Sequence, residues 1–184
     1  MVLTEANEKN RSAISMVQAS STSEALLRIY QLAGDRKGFL QAISAVTCQR
    51  LARRLCEKCK QPVQGAPKLI QQLGGDPRTQ NTLFNPYRQP TPEQLIDENG
   101  NPIDPPPPCT ACAGLGYIGR IAVFEMLEVD DQIRQVIAKE PKVRAIEQAA
   151  RARGKSSLVA QGYKLVLLGI TSLNEIQRVM KNET

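Results

Sequence analysis

Cys56-Glu57-Lys58-Cys59 and, after residues 60–108, Cys109-Thr110-Ala111-Cys112-Ala113-Gly114-Leu115-Gly116-Tyr117-Ile118-Gly119-Arg120 decide how this chain is read. Each stretch opens with two cysteines separated by two residues. That spacing lets both thiolates turn onto one metal ion, about 2.3 Å from each sulfur. Two such pairs make a closed tetrahedral four-thiolate site, the donor set of one structural Zn2+ at Cys56, Cys59, Cys109 and Cys112. A closed site leaves no coordination position for water, so metal catalysis is not expected. Metal would instead close residues 60–108 into one loop. A thioredoxin-type redox pair needs a single CxxC ahead of a helix in a βαβ setting, and two loop-borne pairs do not fit it. Cys48 has no partner at ligand spacing and is assigned to the core of a helix.

Composition narrows the chemistry. Of 184 residues, 41% are apolar and 23% charged, an ordinary globular balance. Lys+Arg minus Asp+Glu is 24 − 18 = +6. There is no histidine. That excludes a Ser-His-Asp triad, a Cys-His dyad, an imidazole base and a mixed Cys/His metal site. No apolar run approaches the about 20 residues needed to cross a bilayer. Met1 to Glu8 has neither a basic segment nor an apolar core, so no secretory signal is expected. The chain is read as cytoplasmic, where a metal site outranks a disulfide framework. Around the first cysteine pair, Arg50, Arg53, Arg54, Lys58 and Lys60 stand against Glu57 alone. Such a cluster would lower the thiol pKa values and offset the formal −2 charge of zinc with four thiolates. No aromatic residues interleave with it, which argues against a single-stranded nucleic-acid binder.

Outward from the cysteines, the pattern is mixed α/β. Ala13 to Val17 is a strand candidate. Thr22 or Ser23 can cap a helix that carries Leu26, Leu27 and Tyr30 on one face. Leu40, Ile43, Val46, Leu51 and Leu55 lie near helical spacing, which predicts a helix over 37–55. Residues 1–11 suit the tail of a helix. Residues 60–108 hold eleven of the twelve prolines and should be mostly loop or extended chain, with a helical fragment near Lys68 to Leu73. Arg120 to Leu127 suits a strand, with Glu125, Glu128, Asp130 and Asp131 finishing it and capping the next helix. Helices should follow, ending at Gly154 and Gly169, and Ser172-Leu173-Asn174-Glu175 is a capping box opening the last. These segments suggest three domains: 1–55, an α/β segment; 56–128, the tetracysteine region with its proline-rich loop; and 129–184, a C-terminal helical region.

Gly154-Lys155-Ser156 imitates the end of a phosphate loop. The motif needs glycine at 149, where Ala149 stands, and a strand rather than a helix before it. Gly154 therefore reads as a helix terminator, and this stretch of chain alone is not expected to hydrolyse a nucleotide.

The run Gln49-Arg50-Leu51-Ala52-Arg53-Arg54-Leu55-Cys56-Glu57-Lys58-Cys59, the Cys109–Arg120 stretch quoted above and Phe124-Glu125-Met126-Leu127 together resemble the type II secretion / type IV pilus assembly ATPases. Leu165-Val166-Leu167-Leu168-Gly169-Ile170-Thr171-Ser172-Leu173 is similar to that family's C-terminal helices. Glu24-Ala25-Leu26-Leu27-Arg28 is similar to the helix after its histidine box, with Gln18 standing where the family has histidine. The resemblance covers roughly residues 12 to 181. It implies the C-terminal portion of a RecA-like ATPase domain, with a tetracysteine zinc-binding insertion and a C-terminal helical bundle. It implies that Walker A, the Asp box and Walker B would lie before residue 1, so ATP would matter only within a complete ATPase. It gives Gly114, Gly116 and Gly119 a structural role in the turn, and sets Arg28, Arg50 and Arg53 towards a nucleotide or a neighbouring subunit. It implies a cytoplasmic homo-hexamer, peripheral to the inner membrane, that works with an inner-membrane platform protein in protein transport and does not bind nucleic acid. The alternative is a stand-alone, zinc-stabilised, non-enzymatic adaptor docking on the same machinery. A DnaJ-like zinc module shares the CxxCxGxG pattern at 109–116, but the first cysteine pair does not repeat it.

Overall fold

Short polar caps set where the helices begin. In the computed structural model, which describes residues 12–181, Ser21 caps α1 (Thr22–Leu32), its hydroxyl accepting from the Glu24 N–H at 3.2 Å. Asp35 caps α2 (Arg36–Ala42) through the Gly38 N–H at 2.9 Å. Two long strands carry the chain onward, β1 (Ala45–Leu55) and β4 (Tyr117–Glu128), and they pair with each other. Between them lie β2 (Gln61–Gln64), α3 (Pro67–Gln72) and β3 (Thr82–Asn85). β2 and β3 form an antiparallel pair, registered from Gln61 opposite Asn85 to Gln64 opposite Thr82. After β4 come α4 (Asp131–Lys139), α5 (Val143–Ala152), α6 (Leu158–Leu167) and α7 (Leu173–Lys181). The architecture is mixed α/β with small sheets.

The chain forms two compact units, interleaved in sequence. One takes the residues up to Gln49 and Phe124–Leu158. Its core joins Leu26 and Tyr30 of α1, Phe39 and Leu40 of α2, Val46 and Leu127 of the strands, and Ile133, Ile137 and Ile146 of α4 and α5. Arg134 reinforces it by donating to the Leu40 carbonyl at 2.6 Å and the Ile43 carbonyl at 3.1 Å. Glu125 links two helix starts in this unit. One carboxylate oxygen accepts from the Thr22 N–H at 2.8 Å and hydroxyl at 2.9 Å, the other from the Leu158 N–H at 2.7 Å. The second unit takes Arg50–Val123 and the residues from Val159 onward. Its buried apolar side chains include Leu55, Ile70, Leu73, Leu83, Val166, Ile176 and Val179. Of the C-terminal helices, α4 and α5 thus belong to the first unit, and α6 beyond Leu158, with α7, to the second.

Several expectations are corrected. The helix expected over 37–55 ends at Ala42, and residues 45–55 are strand β1. In a helix Leu51 and Leu55 would share a face. A regular strand would also put them on one face. Instead Val46 and Ala52 turn inward, Leu51 on the opposite phase is 54% exposed, and the alternation breaks at Arg53 and Arg54, so that Leu55 ends the strand only 2% exposed. Cys48 is accordingly half-buried on β1 rather than in a helix, its thiol 3.7 Å from the Ser20 carbonyl. The strand expected at 13–17 has no regular structure, and Ile14 and Met16 are 97% exposed. A strand needs a ladder partner, and neither sheet among the described residues offers one there. The proline-rich segment, expected to be mostly loop or extended chain, pairs two of its extended stretches as β2 and β3. Pro62 is tolerated there because a two-stranded ladder has only edges. Thr22 and Ser23 are buried within α1 rather than capping it. The helical tail expected in residues 1–11 falls outside the described residues.

Candidate metal centre

Cys56 follows the last residue of β1, where the chain turns back on itself. Its carbonyl accepts from the Cys59 N–H at 3.2 Å and the Lys60 N–H at 2.9 Å. The second pair precedes β4. There the Cys112 carbonyl accepts from the Leu115 N–H at 3.0 Å, and the Cys112 sulfur from the Gly116 N–H at 3.3 Å. Gly116 joins the two knuckles, since its carbonyl accepts from the Cys56 N–H at 3.0 Å. Its φ is +72°, and a Cβ there would come within 2.7 Å of the Tyr87 carbonyl oxygen, so only glycine fits. Gly114 and Gly119 also have positive φ, +81° and +67°, as does the non-glycine Ala113 at +51°. Gly114 and Gly116 sit where the chain turns from the knuckle into β4, whereas Gly119, expected in that turn, is the third residue of β4.

The four sulfurs converge. All lie within 4.8 Å of one another, with Cys56 to Cys109 at 4.0 Å and Cys59 to Cys112 at 3.5 Å. A tetrahedron with metal–sulfur bonds of about 2.3 Å has sulfur–sulfur edges of about 3.8 Å. The cluster therefore has the size of a four-thiolate cage and can hold a metal ion. Cys56 and Cys112 are buried, Cys59 and Cys109 half-buried. The environment splits the thiols. Burial, followed by the neighbouring Cys112 thiol, pushes Cys59 up. The backbone N–H groups of Cys112 and Ala111 bring Cys109 down to about 7.

The knuckles are braced by the turn between α6 and α7. The Leu55 N–H donates to the Ile170 carbonyl at 2.9 Å, the Thr171 hydroxyl to the Arg53 carbonyl at 2.8 Å, and Lys60 Nζ to the Gly169 carbonyl at 3.2 Å. Tyr117 and Ser172 hydroxyls meet at 2.7 Å. Of the surrounding basic residues, Lys60 pairs with Glu57 at 2.6 Å and lies over the Phe84 ring.

Arg28, Arg50 and Arg53 are distributed over the two units. Arg28 is exposed on α1, its guanidinium donating to the Gln18 carbonyl. Arg50 and Arg53 lie on β1 in the second unit. Arg53 is committed to Glu175, the residue sequence reading underrated. The Glu175 side chain is wholly buried, and it accepts from the Arg53 N–H, Nε and Nη2 at 3.0, 3.0 and 2.6 Å and from Arg178 Nε and Nη2 at 2.9 and 2.7 Å. Burial alone would raise its pKa. The Arg178 and Arg53 hydrogen bonds outweigh that and hold it at about 2. Ser172 does cap α7 through the Glu175 N–H at 3.2 Å, as the capping-box reading expected, but the Glu175 carboxylate serves the two arginines. Arg178 at i+3 was visible in the sequence. Arg53, at the end of a strand 122 residues away, gave no local signal. Gly154, φ +74°, ends α5, and Lys155 pairs with Glu128 at 3.6 Å, consistent with a helix terminator rather than a phosphate cradle.

No helix among the described residues is long and apolar enough to cross a membrane. The model of the family described as Type II/IV secretion system protein matches residues 2–178. The chain is 30% identical over 166 residues to the type IV pilus assembly ATPase PilB of Acinetobacter baylyi, covering 90% of this chain and 26% of that protein. It is 30% identical over 176 residues to PilB of Thermus thermophilus, covering 95% of this chain and 18% of the relative. It is 28% identical over 170 residues to the type II secretion system protein E of Pectobacterium carotovorum, covering 92% of this chain and 30% of the relative. The chain thus spans less than a third of the length of these relatives. On the match across nearly all its residues, the chain belongs to the Type II/IV secretion system protein family.

Proposed function

We propose that these residues act as the C-terminal segment of a type II secretion or type IV pilus assembly ATPase, coupling ATP-driven motion to an inner-membrane platform protein. The observation that carries this reading is the four-sulfur cluster joined to the α6–α7 turn, within a chain that matches the family from residue 2 to 178. Zn2+ held by Cys56, Cys59, Cys109 and Cys112 would tie β1, the start of β4 and residues 60–108 into one stiff body, able to transmit force rather than absorb it. Zinc fits because soft thiolates in a tetrahedral set favour it, and because a closed four-sulfur set has no redox or hydrolytic task. Gly114 and Gly116 would shape the turn that presents the second cysteine pair, and Gly119 the first residues of β4. The surrounding fold would be the last part of a RecA-like domain, with phosphate-binding motifs supplied upstream. Arg28 and Arg50 would serve a nucleotide or subunit contact in an assembled, cytoplasmic ring peripheral to the inner membrane. Arg53 is better assigned to holding Glu175.

Fusion to the upstream nucleotide-binding half of a pilus-assembly ATPase tests the reading. The fusion should hydrolyse ATP and lose its response to the platform protein's cytoplasmic domain when Cys109→Ser and Cys112→Ser are introduced. Turnover by residues 1–184 alone, or full coupling by the cysteine variant, would contradict it.

A further inference from the structure

Beside the metal knuckles, in the same compact unit, lies an open pocket of about 250 Å³, lined in part by Arg53, Arg88, Arg178, Glu175, Tyr87 and Leu115. Three arginines and one carboxylate line it. Both oxygens of Glu175 are already taken by Arg53 and Arg178. Among the described residues no hydrogen bond uses Nη1 of either arginine, and Arg88 has no hydrogen bond or ion pair. Both paired guanidiniums also keep about half their side-chain surface in water, 48% for Arg53 and 49% for Arg178. The lining therefore carries three positive charges against one negative, with donor edges still open. Arg53 is fixed further by stacking on the Tyr117 ring, 4.3 Å from its centroid, so its donors are held in place before anything binds.

Size and polarity select the ligand. Small-molecule and cofactor sites usually run from about 300 to 1,000 Å³, so this pocket is too small for a nucleotide. A single carboxylate fits it, and the fork of a guanidinium matches a carboxylate two bonds at a time. One wall is apolar: Leu115 is 74% exposed and stands with Pro86 and Tyr87 on the lining. A free inorganic anion would leave that wall unused. An acidic side chain flanked by an apolar one on the same segment would use both.

We propose that this pocket receives a glutamate or aspartate from an acidic, partly apolar segment of a partner protein. It would provide a contact for the coupling role proposed above, and rests on that reading only for what the partner does. A peptide assay reads the pocket without ATP turnover, so failure here is separable from failure of that role.

The test uses the metal-loaded 184-residue chain and a fluorescein-labelled peptide of alternating Glu and Leu, with the Gln–Leu peptide as control. Fluorescence anisotropy should show saturable binding of the Glu–Leu peptide and none of the Gln–Leu peptide. Arg88→Glu, at a residue with no described partner and so little risk to the fold, should weaken binding about tenfold. Leu115 methyl resonances should shift on binding in the wild-type chain. Equal affinity for Arg88→Glu, absence of binding, a Leu115 signal that does not move, or displacement of the peptide by millimolar inorganic phosphate would each overturn the proposal.

Discussion

A buried carboxylate bonded to two guanidiniums cannot be removed without consequence for both partners. Glu175→Gln should leave Arg53 and Arg178 facing each other with a neutral amide between them. Breaking such a pair costs about 3–5 kcal/mol when all groups are buried. Both arginines here are half exposed, so about 2 kcal/mol is the expected loss, read as a lower urea midpoint. The pH dependence has a definite sign. Glu175 sits at about 2 in the folded chain, below the ordinary carboxylate value of about 4.3. Its contribution is therefore complete above about pH 4.3 and is lost as pH falls towards 2. The fall in stability between pH 5 and pH 2 should be shallower in Glu175→Gln than in the wild type; identical slopes would contradict the assignment. Gly116 offers a second test. Gly116→Ala places a Cβ against the Tyr87 carbonyl at a φ of +72°, which should cost about 2 kcal/mol and speed metal loss to a chelator.

At the scale of elements, Glu125 has the most to lose. It satisfies the first N–H of α1 and of α6, ends that otherwise have no intrahelical partner. Glu125→Ala should take the carboxylate from both helix starts, leaving α1 its Ser21 cap, at about 1 kcal/mol for each lost contact, and lower the helical circular dichroism before the main unfolding transition. An unchanged midpoint would show that water replaces the carboxylate. The elements also divide by how legible they were. The helices after β4 announced themselves through local signals: Asp130 and Ser172 as caps, Gly154 and Gly169 as terminators. Strand β1 did not, because its partner β4 lies some 70 residues away, and Leu51 and Leu55 happen to fall four residues apart. The β2–β3 pair was masked by the prolines around it. In each case the missing information was a long-range pairing, which no local periodicity carries.

Across the whole molecule, the cysteine cluster was legible because ligand spacing is itself local chemistry. What the sequence could not convey was the bracing: Gly116 clasping Cys56, and the 169–172 turn gripping the end of β1. Metal at this cluster would clip residues 60–108 into a loop. A chain-entropy estimate for a closed loop of that length gives about 4 kcal/mol. Chelation should therefore lower the thermal midpoint and open residues 60–108 to protease first. Cleavage starting elsewhere, or a midpoint indifferent to chelator, would mean that the cluster does not carry this load.

The most direct measurement is the metal content of the reduced, natively purified chain, by elemental analysis alongside thiol titration. The account predicts one zinc per chain, with Cys56, Cys59, Cys109 and Cys112 protected and Cys48 the sole cysteine outside the metal site. A metal-free chain in which all five thiols react alike under native conditions would contradict it.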